Sequence, residues 1–268
     1  MYNVRGFNYI RCVTCGSARL DPLPTDPTSI YDELYFANSD LGGYTNYEAD
    51  RELHERNANS RLALIARMAP PQPMRLVDVG CATGYTLTQA KRKQWKATGV
   101  EVSEFARGIA ADRGHTVFSS IEPALEAVRP NVVTFFQVLE HMARPDVAVR
   151  AASEATERGT VLAIETWDRR SAIARLFGTR WHQANPPSVI HLFTREGVSQ
   201  LLTRNGFEPT LIRATAKFVS FSQLAGVAEQ RWGPLARAFR RILGANRLRS
   251  GAFSYNLGDL ITAIAVKS

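Results

Sequence analysis

The sequence predicts an α/β protein built on a doubly wound, mostly parallel sheet, and three observations carry that prediction. Leu76-Val77-Asp78-Val79 is a short apolar strand that runs into a glycine turn, Gly80 to Tyr85, and then into a stretch of helical composition. A second apolar run, Ala97-Thr98-Gly99-Val100, ends in an acid, Glu101. Beyond it, strand-like and helix-like segments keep alternating, the pattern of parallel strands joined by crossover helices.

The first strand is bounded on both sides. Pro70, Pro71 and Pro73 block helix before it and Gly80 ends it, while Leu87 to Trp95 carries no breaker. In such a strand-turn-helix unit, backbone without side chains can approach a nucleotide and the helix N-terminus supplies free N–H groups. A dinucleotide-binding turn reads G-x-G-x-x-G, whereas this one reads Gly80-x-x-x-Gly84 with Asp78 two residues before it.

That spacing resembles the first motif of class I S-adenosylmethionine (SAM) methyltransferases. Glu101 stands where an acid accepts hydrogen bonds from ribose hydroxyls. The resemblance implies a SAM site drawing on Asp78, Gly80, Cys81, Gly84, Tyr85, Glu101 and Val102, with Ser120 and Ile121 near the adenine and Gln137 in the same crevice. It implies a seven-stranded sheet whose last strand is antiparallel. Ala82 departs from the glycine of many relatives, and its methyl group is tolerable provided φ there is negative. The rival reading is an α/β protein whose turn binds no nucleotide.

The bulk properties set bounds. A chain of 268 residues suffices for one large α/β domain with a small attachment. It contains no internal repeat and no apolar run long enough for a membrane span. No apolar stretch follows the N-terminus, so a cytoplasmic protein is expected. Three cysteines argue against a disulfide scaffold. The net charge of +8 admits an anionic substrate, a membrane surface or nucleic acid, but the arginines form no recognisable nucleic-acid motif.

Residues 1–45 stand outside the α/β pattern. Tyr9 to Arg11 reads as a strand entering Cys12-Val13-Thr14-Cys15-Gly16, the turn of a zinc knuckle. A structural zinc needs four ligands and no second C-x-x-C exists, so a degenerate knuckle without metal is expected. With Leu20-Asp21-Pro22 and Ile30-Tyr31 to Tyr35-Phe36, it resembles the N-terminal segment of bacterial SAM methyltransferases acting on sugars, lipids and secondary metabolites. In those relatives another C-x-x-C commonly comes first. Its absence implies a lost zinc site or a chain beginning downstream of its true start.

The methyltransferase part is expected over 46–268. Tyr44 to Met68 reads as helix, with Tyr44 and Tyr47 either lining the pocket or packing on the sheet. Ser103 starts a helix to about Arg113, His115 to Phe118 is a third strand, and Pro123 to Val128 a short helix. Asn131 to Phe136 is a buried strand leading into Gln137-Val138-Leu139-Glu140-His141-Met142, which resembles the motif after the fourth strand in small-molecule methyltransferases. His141 is the first choice as general base, since imidazole titrates near neutrality.

Pro145 to Arg158 reads as helix and Thr160 to Thr166 as the fifth strand. The long connection 167–194 resembles the part of that group that closes over the acceptor, with His182 and His191 as alternative bases or loop anchors. Thr194 caps a helix over Val198 to Asn205, Phe207 to Phe218 is the sixth strand, and Asp259 to Val266 the last. Between them, 220–250 is a helical insertion rich in arginine, either a solvated face or a surface for an anionic or lipid-linked acceptor. The resemblance implies methyl transfer to a small molecule, with oxygen the preferred acceptor atom because three histidines offer bases. An RNA methyltransferase and a SAM-binding protein without activity are the alternatives.

Overall fold

The chain alternates strands with helices, and a computed structural model describes residues 2–32, 35–36, 47–69, 73–220 and 252–268. Three strands open it: β1 (Tyr2–Val4), β2 (Phe7–Arg11) and β3 (Ala18–Leu20). Helix α1 (Arg51–Met68) leads to β4 (Arg75–Val79), α2 (Tyr85–Arg92), β5 (Lys96–Val100), α3 (Glu104–Asp112), β6 (Val117–Phe118), α4 (Ile121–Val128) and β7 (Val132–Phe136). Then come α5 (Pro145–Glu154), β8 (Val161–Trp167), α6 (Ala172–Phe177), β9 (His191–Leu192), α7 (Arg195–Arg204), β10 (Phe207–Ala214), β11 (Lys217–Ser220), β12 (Ala252–Tyr255) and β13 (Leu260–Lys267).

The main sheet has seven strands in the order β10-β13-β8-β7-β4-β5-β6. β13 runs antiparallel to both its neighbours, and β4 to β8 are parallel, as expected. The order reverses between β4 and β7, which places the ligand crevice of an open α/β sheet at their carboxyl ends. Alternate residues of the central strands feed two cores. Val77, Phe135, Leu162 and Ile164 belong to one cluster, and Leu76, Val132, Ala163 and Ile264 join Leu62 and Ile65 of α1 in the other. The near-continuous apolar strands therefore follow from burial on both faces.

A second sheet, β1-β2-β3-β9, joins the N-terminal hairpins to the connection after β8. That connection is thus partly regular, containing α6 and β9, and only its remainder is loop. β1, β9 and β12 are too short to show a period in sequence.

Several boundaries differ from expectation for identifiable reasons. Helix α5 stops at Glu154 rather than Arg158, because the Thr156 hydroxyl takes the Ala152 carbonyl at 2.6 Å and Lys267 takes those of Ser153 and Thr156. The expected sixth strand, Phe207 to Phe218, divides into β10 and β11. Beyond Ala214 the main sheet supplies one further bond, from the Thr215 amide to the Leu260 carbonyl at 2.9 Å, and Asn57 of α1 then captures Phe218 by accepting from its N–H at 2.7 Å and donating to its carbonyl at 2.9 Å. Helix α1 begins at Arg51 after a 3-10 turn over Glu48–Asp50. Tyr44, Pro70 and Pro71, and the insertion beyond Ser220 to 250, lie outside the described residues.

Candidate active site at the glycine turn

The turn after β4 is pinned to the next strand: the Gly80 and Cys81 amides both donate to the Val100 carbonyl, at 2.7 and 3.0 Å. Gly80 and Gly84 have φ of +71° and +87°, which glycine adopts without strain. Their missing side chains also make room for neighbours. A Cβ on Gly80 would lie 2.3 Å from Val138 Cγ2, and one on Gly84 2.9 Å from His115 Cδ2. The closest approach to these glycines is therefore by the protein's own side chains.

Ala82 corrects an expectation: its φ is +48°, not negative. A left-handed residue with a Cβ costs about 1–2 kcal/mol, and Glu101 supplies a compensating bond. Glu101 Oε2 accepts from the Ala82 amide and Oε1 from the Ser103 amide, each at 2.9 Å. Burial pushes the Glu101 carboxyl upward, while these amides favour its ionised form. Each oxygen keeps a lone pair for a further donor. The acid thus shapes the turn as well as standing beside it.

The other expected residues divide. Asp78 lies inside the sheet, accepting from Thr134 Oγ1 at 2.5 Å, and burial raises its pKa to about 6 against the pull of that bond and of Arg61. The Cys81 thiol packs beneath Gly99, where a Cβ would meet Sγ at 2.4 Å, so only its backbone serves the turn. Val102 is 50% exposed at the rim. Ser120 is exposed and Ile121 packs on the core.

Tyr85 opens α2, and its hydroxyl donates to Glu48 Oε2 at 2.8 Å. Glu48 also accepts from Thr83 Oγ1 at 2.7 Å and pairs with Arg113, whose guanidinium lies 4.4 Å from the Tyr85 ring centroid. His54 stacks between Tyr47 and Tyr85, at 4.0 and 5.3 Å. Sequence reasoning missed Glu48, Thr83, Arg113 and His54. Spacing gave no sign of them, because they meet only through the fold.

At the end of β7, Gln137 also has positive φ, +58°. Its amide N–H donates to the Glu165 carbonyl at 2.7 Å and its Nε2 to Glu165 Oε1 at 2.9 Å, while Lys217 Nζ donates to its Oε1 at 3.1 Å. Glu165 is 1% exposed and also pairs with Arg61. Strained residues at both strand ends that flank the crevice are the kind that functional sites retain.

The segment 188–192 straps the turn after β7. His141 Nδ1 donates to the Ser188 carbonyl at 2.7 Å, the Ile190 amide to the Glu140 carbonyl at 2.8 Å, and His191 Nε2 lies 3.4 Å from the Ala143 carbonyl. Burial lowers the pKa of both histidines. His182 sits apart, edge-on to Trp167, Trp181 and Tyr255 at 5.9 to 6.3 Å, so the three histidines do not converge. Glu140, buried, accepts from Thr166 Oγ1 at 2.9 Å, and burial pushes its pKa up to about 7. At the N-terminal turn, Cys12 is exposed and Cys15 buried. Among the described residues no group of three or more His, Cys, Asp or Glu is placed to hold a metal ion, and the expected zinc-knuckle resemblance finds no support. No helix among them is long and apolar enough to cross a membrane.

Residues 49–212 match a protein family described as a methyltransferase domain. A ubiquinone biosynthesis O-methyltransferase from Paracidovorax citrulli (strain AAC00-1) is 29% identical over 131 residues, 45% of this chain and 55% of that protein. The chain thus spans about half the length of that curated relative. Among solved structures, a SAM-dependent methyltransferase from Archaeoglobus fulgidus aligns with a TM-score of 0.55 at 16% identity, covering 82% of this chain and 99% of that one. The magnesium protoporphyrin IX methyltransferase of Synechocystis PCC 6803, solved with bound SAM, aligns at 0.54 with 13% identity over 91% and 99% of the two chains. At these identities the likeness concerns the fold.

Proposed function

The chain belongs to the methyltransferase-domain family, and from that premise we propose that it moves the methyl group of SAM to a hydroxyl oxygen of a small-molecule acceptor, with His141 as general base. The O-methyltransferase relative supports oxygen as the acceptor atom.

The turn fits the cofactor. Glu101 is held by two amides with lone pairs to spare for ribose hydroxyls, the N-terminus of α2 opens beside it, and half-exposed Val102 offers an apolar rim for adenine. When bound, SAM supplies an electrophilic methyl group on a cationic sulfur. The chain's part is to align the partners and exclude water. The strap from Ser188 to Leu192 covers the turn that carries His141, which serves the second purpose.

The observation that carries the role of His141 is its bond to Ser188. A carbonyl only accepts, so Nδ1 carries the proton; with burial favouring the neutral ring, Nε2 is left as the basic atom. Among the described residues Nε2 has no hydrogen-bond partner. The base therefore stays neutral below the ordinary histidine range.

A screen of phenols and alcohols with radiolabelled SAM tests the reading. Labelled methyl ethers are expected, with an acid limb of the pH–rate profile below the usual histidine pKa and a loss of about 10²- to 10⁴-fold in His141→Ala. Full turnover in that variant would remove His141 from the mechanism.

A further inference from the structure

Cross-strand register sets a polar row on the α1 face of the sheet, beside the glycine turn. Arg213, Thr262, Glu165 and Phe136 are direct partners across β10, β13, β8 and β7. Direct partners share a face. The next row inward is apolar at Ile264 and Ala163 and becomes polar only on β7, at Thr134, which donates to Asp78. Helix α1 covers both rows and brings Arg61, and β11 brings Lys217. A cavity of about 130 Å³ lies between them.

Its lining is unbalanced in charge. Arg61 is paired with Glu165, which leaves the Arg213 guanidinium and the Lys217 ammonium. Arg213 makes no ion pair among the described residues, and Lys217 is held by a neutral amide, Gln137, and lies 5.0 Å from the Trp167 ring centroid. Burial lowers Lys217 to about 8, so the amine remains mostly charged at neutral pH. The Thr262 hydroxyl is the second, independent sign. Thr262 is only 3% exposed and lines the cavity, yet among the described residues its Oγ1 has no hydrogen-bond partner, and the same holds for the Thr215 hydroxyl. Leaving a buried hydroxyl unmet is destabilising, so a site that keeps two of them in one cationic cavity is built for an acceptor of hydrogen bonds.

We propose that this cavity takes the carboxylate end of an organic-acid acceptor, its oxygens on Lys217, Arg213 and Thr262 and its hydrocarbon body on the apolar floor. The Glu165 carboxylate and that floor disfavour an inorganic dianion. The cavity is slightly smaller than the roughly 150 Å³ that holds a benzene ring, but it opens at exposed Arg213 and Ala216, so benzoate, which need not be wholly enclosed, serves as the probe. The assignment deepens the methyl-transfer reading and rests on it for what the carboxylate belongs to.

The test is titration of the whole protein with benzoate, benzyl alcohol and inorganic phosphate, and separately with SAM. Benzoate is expected to bind at least tenfold more tightly than benzyl alcohol or phosphate. Lys217→Met should weaken benzoate at least tenfold, and Arg213→Gln, at the exposed edge of the row, several-fold while SAM affinity stays within twofold. Equal binding of benzoate and benzyl alcohol, tighter binding of phosphate, or benzoate affinity untouched in Arg213→Gln would overturn the proposal. Those results with SAM binding intact would leave the cofactor reading standing, whereas loss of SAM binding by the folded wild-type protein would overturn that reading instead.

Discussion

Ala82 holds a conformation that side chains avoid, and its amide is committed to Glu101 at 2.9 Å. Replacing it with glycine removes the left-handed penalty but adds chain entropy to the unfolded state, so Ala82→Gly should stabilise by about 0.5–1 kcal/mol in denaturant titration. A loss of stability would mean that the Ala82 methyl contributes more by packing than it costs in strain. His54 makes a pH-dependent contribution of known sign. Burial is the main reason its pKa falls to about 4, with the positive charges of Lys217 and Arg61 adding to it. Below the ordinary value near 6.5 the unfolded chain binds a proton that the folded chain refuses, so stability is full above that point and declines as pH falls toward 4. The expected loss across that window is on the order of 2–3 kcal/mol. His54→Phe should flatten the decline, and an unchanged slope would assign it to other groups. Neither residue's state was visible in sequence, since φ and burial are set by partners such as Glu101 and Tyr85 far along the chain.

Thr194 joins two elements through one hydroxyl. Its Oγ1 accepts from the Gly197 amide at 2.9 Å, capping α7, and donates to the Cys15 carbonyl at 2.8 Å, tying the N-terminal turn to the connection after β8. Thr194→Ala should cost about 1–2 kcal/mol and Thr194→Ser little. Hydrogen exchange at Cys12 to Ser17 should rise with the alanine variant alone; protection kept there would show that the cap matters and the tie does not. The cap was legible, because Thr followed by an acid and apolar residues is a local signal. The tie was not, because its two residues lie 179 positions apart. Likewise Ser103, accepting from the Ala106 amide at 3.3 Å, starts α3 as the sequence indicates. The division of β10 from β11 depends on Asn57, and no local pattern contains it.

At the scale of the molecule, the strand order brings distant segments to one edge of the sheet: the turn after β4, Glu101 after β5, and His141 after β7. That arrangement was legible because each central strand is apolar along its length and each is followed by a helix, which forces parallel pairing and a crevice at the reversal. The acceptor side was less so. Arg213, Thr262 and Glu165 become neighbours only through the register of β10, β13 and β8, and the sequence shows them as isolated residues in unrelated strands. The central claim is the cofactor, and calorimetric titration with SAM and with S-adenosylhomocysteine tests it most directly. One molecule per chain is expected to bind, at least tenfold more weakly in Glu101→Gln, whose one oxygen keeps the Ala82 amide while its NH2 group faces the Ser103 amide, so the comparison is made on variant protein shown by circular dichroism to be folded. Folded wild-type protein that releases no heat and binds neither ligand would contradict the account.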